Sequence, residues 1–244
     1  MLQGKWVLIT GASRGIGRAT AKEFALQGAN LLLVARDAQA LQTIQEEIQT
    51  PSHTFVCDLS NEKEIKELFL KIRKITKVLD VVVNNAGILY SAPLFMSKRE
   101  DIEKVFATNF YSVVHISQYA SRMMLAKKQG SIINISSIMG ISGASAHSIY
   151  SASKASLIAL TKSLAQELSP YIRVNAIAPG VVDTSIIDGM DEEKQRVLKE
   201  RTPLQRFAKE SEVAQSILFF ATDMSSFITG EVLRVDGGLC SIEI

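Results

Sequence analysis

Thr10-Gly11-Ala12-Ser13-Arg14-Gly15-Ile16-Gly17 follows the apolar run Trp6-Val7-Leu8-Ile9 and opens an amphipathic pattern through Ala19, Phe24 and Ala25. A strand that turns on glycines into a helix lets the backbone approach a pyrophosphate. The helix N-terminus then supplies free N–H donors and a favourable dipole. The spacing is G-x-x-x-G-x-G rather than G-x-G-x-x-G, so taken alone the stretch is also compatible with a purely structural turn. Its place after the first of a series of similar runs favours a dinucleotide site.

Those further runs are Leu31–Ala35, Thr54–Cys57, Val78–Val83, Ser131–Ile135, Val174–Ala178 and Glu231–Val235. They are nearly continuous in apolar character, as strands buried on both faces are. Helical segments of roughly 12–20 residues separate them, long enough for the crossovers that parallel strands require. In Tyr150–Leu168, for example, Leu157, Leu160, Leu164 and Leu168 fall on one stripe and Pro170 lies just beyond. The pattern predicts an α/β protein: a single-domain Rossmann fold with a doubly wound, seven-stranded parallel sheet and helices on both faces. No linker, repeat or low-complexity tract divides the chain, so residues 1–244 read as one dinucleotide-binding and catalytic domain. At about 183–206 the pattern loosens, and a small insertion there is expected to cover a substrate.

Composition narrows the classes. The chain is 47% hydrophobic and 21% charged, as folded globular proteins are. Its 27 basic and 25 acidic side chains leave a formal charge of +2, too balanced and too scattered for a nucleic-acid surface. Cys57 and Cys240 share no metal or redox spacing, which fits a reducing compartment. No apolar stretch approaches the ~20 residues of a membrane span, and Met1–Lys5 carries no leader pattern. The expectation is a cytoplasmic protein with neither nucleic acid nor membrane as partner. His53, His115 and His147 have no partner pattern and no HExxH is present, so no metal site is expected. His147, just before Tyr150, is the one histidine placed to face a substrate.

The end of the second run bears on the cofactor. An NAD site places a carboxylate there for the ribose hydroxyls; here the residues are Ala35-Arg36. A guanidinium suits bidentate contact with a phosphate, and Arg14 adds a second cation. Together they favour the 2′-phosphate of NADP(H). Asp37 is either a ribose contact or, preferably, the N-cap of the next helix.

Tyr150-Ser151-Ala152-Ser153-Lys154 puts a phenol and an ammonium one helical turn apart. A nearby ammonium favours the phenolate, and a tyrosine so tuned exchanges a proton with an alcohol or alkoxide. Asn84-Asn85-Ala86-Gly87 closes the fourth run, Asn134-Ile135-Ser136-Ser137 the fifth and Pro179-Gly180 the sixth, while Asn109 ends a helical stretch. Polar groups thus converge on the carboxyl edge, where ligands bind in this architecture.

These motifs resemble those of the short-chain dehydrogenase/reductase family, in its single-domain branch. TGASRGIG at 10–17, NNAG at 84–87, Asn109, the serine of NISS at 137, YSASK at 150–154 and APG at 178–180 match in order and spacing from Thr10 to Gly238. The resemblance implies that Tyr150 is the acid/base and that Lys154 lowers its pKa and holds the nicotinamide ribose. It also implies that Ser137 binds the carbonyl and that Asn109 helps relay protons through water. Ser136, its neighbour, reads as a strand-end hydroxyl bonded to backbone. The implied NADP(H) contacts are Gly11, Ser13, Arg14, Gly15, Ile16, Gly17, Arg36, Asn85, Ala86, Gly87, Tyr150, Lys154, Pro179, Gly180, Val182 and Thr184. Asp58 and Leu59 resemble the pair that contacts adenine, with Asp58 equally readable as a helix N-cap.

Within the family the chain is similar to the 3-oxoacyl-[acyl-carrier-protein] reductases of fatty acid biosynthesis, through Thr202–Phe207 and Thr229–Gly238. This implies an acyl-thioester substrate, acyl carrier protein as a partner, and a homotetramer built on helices around Tyr111–Lys127, Ser151–Ser169 and a Val235–Ile244 segment. Ile88-Leu89-Tyr90-Ser91-Ala92 departs from that group, and Ser169-Pro170-Tyr171 lacks an arginine often found there; Lys127 and Lys128 remain candidates for carrier docking. Leu89, Tyr90, Ile138, Met139, Ile186, Ile187 and Met190 are expected to form an apolar wall suited to an acyl chain, a steroid or a bulky ketone. A non-catalytic NADPH-binding regulator on the same fold is the reading of another class.

Overall fold

Strands that are apolar at nearly every position need cover on both faces, and the alternation of their side chains shows how this chain provides it. A computed structural model describes residues 1–239 except 185, 186 and 188. The strands are β1 (Trp6–Thr10), β2 (Asn30–Ala35), β3 (Ser52–Val56), β4 (Val81–Asn84), β5 (Gly130–Ile135), β6 (Ile172–Pro179) and β7 (Val232–Val235). All pair in parallel, in the order β3-β2-β1-β4-β5-β6-β7. The expected doubly wound sheet is therefore present, with strand ends within a few residues of those read from the sequence.

Val7, Ile9, Leu31, Leu33, Val81, Val83 and Ile133 point to one face. There they meet α1 (Gly15–Leu26), α2 (Ala38–Glu47) and α9 (Glu210–Ala221) through residues such as Phe24, Ile44 and Ile217. Leu8, Leu32, Val34, Val82 and Ile132 point to the other face, against α3 (Glu62–Ile75), α5 (Ser112–Lys127) and α7 (Ser148–Glu167). The period of two thus splits each apolar run between two cores. Between β4 and α5 lies α4 (Arg99–Phe106), joined to α5 by a π-turn, Ala107–Tyr111; α6 (Met139–Ser142) precedes α7, and α8 (Glu192–Arg201) follows β6. Asn109 therefore sits inside a helical connection rather than at its end.

Two expectations change. The buried face of α7 is Ser153, Lys154, Leu157, Thr161 and Ala165, while Leu160, Leu164 and Leu168 are only half-buried. The sheet side of this helix is largely polar because β5 supplies partners: the Asn134 amide donates to Thr161 Oγ1 (2.9 Å) and Ser136 Oγ donates to Lys154 O (2.9 Å). In addition, Lys127 and Lys128 close α5 just before β5 begins, at the amino edge of the sheet. They lie opposite the edge where the glycine turn sits.

Lys127 there completes a clamp. Asp80 Oδ1 accepts from Lys127 Nζ (2.5 Å), Asp80 Oδ2 accepts from Trp6 N (2.9 Å), and Asp80 is 6% exposed. The carboxylate ties the start of β1 to the residue just before β4, and the fourth strand begins at Val81 rather than at the expected Val78. Among the described residues, no helix is long and apolar enough to cross a membrane. Replacing Asp80 with Ala leaves the Trp6 N–H buried without an acceptor. The expected loss is about 2 kcal/mol, read as a lower urea midpoint with an unchanged slope.

Candidate active site

The sheet order reverses between β1 and β4, which opens a crevice at their carboxyl ends. Thr10, the last residue of β1, ties its two walls together. Its hydroxyl accepts from Asn85 N (3.0 Å) and Ala86 N (3.0 Å), and the Asn85 amide donates to Thr10 O (2.9 Å) and Gly11 O (3.2 Å). Asn85 thus spends its side chain on the turn beside it. Glycine is required at 17: a Cβ there would lie 2.1 Å from Gly11 O and 2.5 Å from Asn85 Nδ2. Arg14 is the N-cap of α1 and makes no side-chain cap, so the first N–H groups of that helix face the crevice uncapped.

The crevice has a volume of about 360 Å³. Along one arm lie Gly11, Ser13, Arg14, Gly15, Ile16, Arg36, Asp58 and Leu59; at its middle lie Asn85, Ala86, Gly87, Pro179, Gly180, Val182 and Thr184. Gly17 packs behind this lining rather than in it. Arg14 and Arg36 are exposed. Asp37 caps α2 by accepting from Ala40 N (3.0 Å), so its carboxylate is committed to the helix. Asp58 is not an N-cap; Asn61 takes that place on α3. The Asp58 carboxylate accepts from Ser60 N and Ser60 Oγ, and these bonds, with the nearby charges of Arg36 and Lys104, hold it below its ordinary range. Cys57 lies beside it, and burial pushes its thiol up to about 12, so it is inert at neutral pH.

At the other arm stand Ser137, Tyr150 and Lys154. The Ser137 and Tyr150 hydroxyls stand side by side on the crevice, and Ser137 Oγ accepts from Met139 N (3.1 Å). Lys154 is 4% exposed; its Nζ donates to Ile135 O (2.8 Å) and lies 5.9 Å from the Tyr150 ring centre. Burial drives both groups toward neutrality. The phenol is pushed up to about 12, partly offset by Ser137, and the ammonium down to about 8. Burial sets the direction of the phenol's shift, and the Lys154 Nζ is turned to the end of β5.

Asn109 is wholly buried, with its amide fully engaged. Oδ1 accepts from Ile88 N (2.8 Å), and Nδ2 donates to Ile88 O (3.0 Å) and Ser153 Oγ (3.0 Å). His147 lines the crevice, its Nδ1 2.7 Å from Ser145 O. Of the expected apolar wall, Leu89, Met139, Ile187 and Met190 line the crevice, joined by Ile88, Val181 and Leu198. Ile138 is buried behind it, Tyr90 turns its hydroxyl toward Asp101 (3.5 Å), and Ile186 lies outside the described residues. Sequence reading missed Thr10 and Ser153 as parts of this site. Both stand inside quoted motifs, but their partners come from distant elements.

A glycine cradle at a helix N-terminus, beside a hydroxyl pair and a buried lysine, defines an oxidoreductase working with a dinucleotide. The comparisons with known proteins agree. A family model described as enoyl-(acyl carrier protein) reductase matches residues 11–240. The 3-oxoacyl-[acyl-carrier-protein] reductase FabG of Thermotoga maritima is 40% identical over 98% of each chain. Carbonyl reductase family member 4 of Danio rerio is 40% identical over 95% of this chain and 96% of its own. A solved structure of a short chain dehydrogenase/reductase family protein superposes with a TM-score of 0.91 at 31% identity, covering 99% of both chains. The chain belongs to the short-chain dehydrogenase/reductase family, and NADP(H) is its cofactor.

The buried ammonium destabilises the fold. Unfolded, Lys154 titrates near 10.5; folded, near 8. Between those values the unfolded chain binds the extra proton, so this group's penalty, about 3 kcal/mol at neutral pH, fades as pH rises from 8 to 10.5. Lys154→Met removes that penalty but also loses the bond to Ile135 O. We expect a variant about 2 kcal/mol more stable at pH 7, with a gap to the parent that narrows through pH 8–10, and without turnover. Chemical denaturation across that pH range checks this.

Proposed function

We propose that this chain is an NADPH-dependent reductase of 3-oxoacyl thioesters presented on acyl carrier protein, acting in fatty acid biosynthesis. The observation that carries the chemistry is that the Ser137 and Tyr150 hydroxyls and Lys154 line the same crevice as the glycine turn. The relatives named 3-oxoacyl-[acyl-carrier-protein] reductase, and the apolar lining of Leu89, Met139, Ile187 and Met190, support an acyl substrate.

The residues present fit the cofactor. The turn between Gly11 and Gly17 leaves room only for backbone, the uncapped start of α1 suits a pyrophosphate, and the exposed Arg14 and Arg36 suit a 2′-phosphate. Bound NADPH would supply the hydride. Tyr150, with its pKa near 12, stays protonated at neutral pH and is a donor in waiting. As charge grows on the carbonyl oxygen, the Ser137 and Tyr150 hydroxyls stabilise it and Tyr150 passes its proton. Lys154, still charged below about pH 8, then stabilises the phenolate. Asn109 keeps the loop after β4 in place beside that turn.

Residues at about 183–206 are read as the cover of the substrate arm. Leu198 and Ile187 from that segment form an apolar cluster with Ile138, Phe207 and Leu239, against which Met139 and Met190 pack. A homotetramer is the proposed assembly, supported by the exposed Tyr111 and Leu125 of the α5 region and the half-buried leucines of α7. Part of the proposed Val235–Ile244 contact lies outside the described residues. A cytoplasmic setting is part of this reading, supported by two cysteines without disulfide or metal spacing.

Two substitutions test the reading. With acetoacetyl thioesters and NADPH, Tyr150→Phe should lower kcat by about a thousandfold and leave the NADPH dissociation constant within about threefold of the parent. Full activity in that variant would remove Tyr150 as the proton donor. Arg36→Asp should shift the NADPH/NADH ratio of kcat/KM toward NADH by about a hundredfold. An unchanged ratio would take selection away from Arg36. Screening quinones and cyclic ketones beside the thioesters settles the substrate class.

A further inference from the structure

Ser153 belongs to the catalytic helix, yet it neither lines the crevice nor faces solvent; it is completely buried. Its hydroxyl donates to Tyr150 O (2.7 Å) and accepts from Asn109 Nδ2 (3.0 Å). Both ends of that link matter. Tyr150 O belongs to the residue that carries the phenol. Asn109 grips Ile88 by both backbone groups, at 2.8 and 3.0 Å. Ile88 directly follows Gly87, where a Cβ would lie 3.2 Å from Lys154 Nζ and 3.3 Å from Asn109 Oδ1. One hydroxyl therefore connects the first turn of α7 to the loop after β4, and these are two walls of the same crevice.

We propose that Ser153 is a positioning residue: through the Asn109 amide it sets the gap between the Tyr150–Lys154 turn and the Gly87–Ile88 loop. The inference rests on the reading of Tyr150 and Lys154 as acid and charge partner. The chemistry of the two side chains makes the link directional. An amide with two donors and one acceptor could rotate by half a turn, which would point Oδ1 at Ile88 O and at Ser153. Ser153 already gives its only proton to Tyr150 O, so it can only accept from Asn109. This reinforces the orientation that the Ile88 N–H and carbonyl already favour, with Nδ2 toward α7 and Oδ1 receiving the Ile88 N–H. Gly87 leaves Lys154 room against this loop with no side chain between them, so a displacement of Ile88 reaches the ammonium directly.

Ser153→Ala leaves an Asn109 Nδ2 proton buried without an acceptor. The expected results are a kcat lowered by about ten- to a hundredfold and an NADPH dissociation constant within about threefold of the parent. The Ile88 amide should exchange with solvent about tenfold faster. A double-mutant cycle with Asn109→Ala distinguishes positioning from bulk packing. If Ser153 acts through Asn109, adding Ser153→Ala to Asn109→Ala lowers kcat no further; independent losses that multiply would overturn the proposal. Ser153→Cys, with a weak donor and acceptor in place of the hydroxyl, should recover part of the loss. Unchanged turnover together with unchanged Ile88 exchange in Ser153→Ala and Ser153→Cys would also overturn it. The exchange measurement needs no substrate. A parent that reduces no carbonyl therefore defeats the catalytic reading, while faster Ile88 exchange in the variants still supports the pin.

Discussion

The knot at Thr10 holds the rest of the site in place. A parallel sheet whose strand order reverses between β1 and β4 leaves two loops diverging from adjacent strands, and nothing in the strand pairing dictates how far apart they stand. The Thr10 hydroxyl and the Asn85 amide decide it with four hydrogen bonds across that gap. The same bonds press the Asn85 amide against Gly11 and Gly17, which is why a methyl group at either position would collide with it. Room for a dinucleotide and the tightness of the turn follow from one contact.

The acid side is built by a different economy. Burial disfavours the Lys154 ammonium, which has one backbone carbonyl for company, and favours the neutral Tyr150 phenol, whose proton is retained well above neutrality. The sheet face of α7 is polar because β5 presents Asn134, Ile135 O and Ser136 to it. Stability is given up at Lys154 so that a charge stands ready beside the hydroxyl pair, a trade familiar at active sites.

Much of this was legible in the sequence, for identifiable reasons. A strand covered on both faces is apolar at successive positions, so Leu31-Leu32-Leu33-Val34-Ala35 announces itself, and seven such runs with helices between them leave few topologies. Glycine turns and Asp37 as a cap are short-range events that neighbouring residues specify. What escaped was set by distant partners. The stripe Leu157, Leu160, Leu164 and Leu168 was legible as a stripe, but hydropathy does not reveal that Ser153, Lys154 and Thr161 are buried beside it, deeper than three of its leucines. Lys127 looked free until Asp80, 47 residues away, took it. Its location at the amino edge was deducible, since a helix that crosses over between parallel strands returns its last residues to that edge. Ser153 and Thr10 were quoted within their motifs, but no pattern in one dimension names Asn109 or Asn85 as what they hold.

The strand order also has a consequence for synthesis. β1 is the first strand to leave the ribosome and lies inside the finished sheet, third from one edge, and the turn that follows it stays untied until Asn85 emerges. From that point β1 to β4 contain every partner that the knot requires. The tyrosine arrives more than sixty residues later, on a helix whose Ser153 and Lys154 already have Asn109 and Ile135 waiting for them. Translation thus presents the cofactor's cradle before the residue that does acid chemistry beside it.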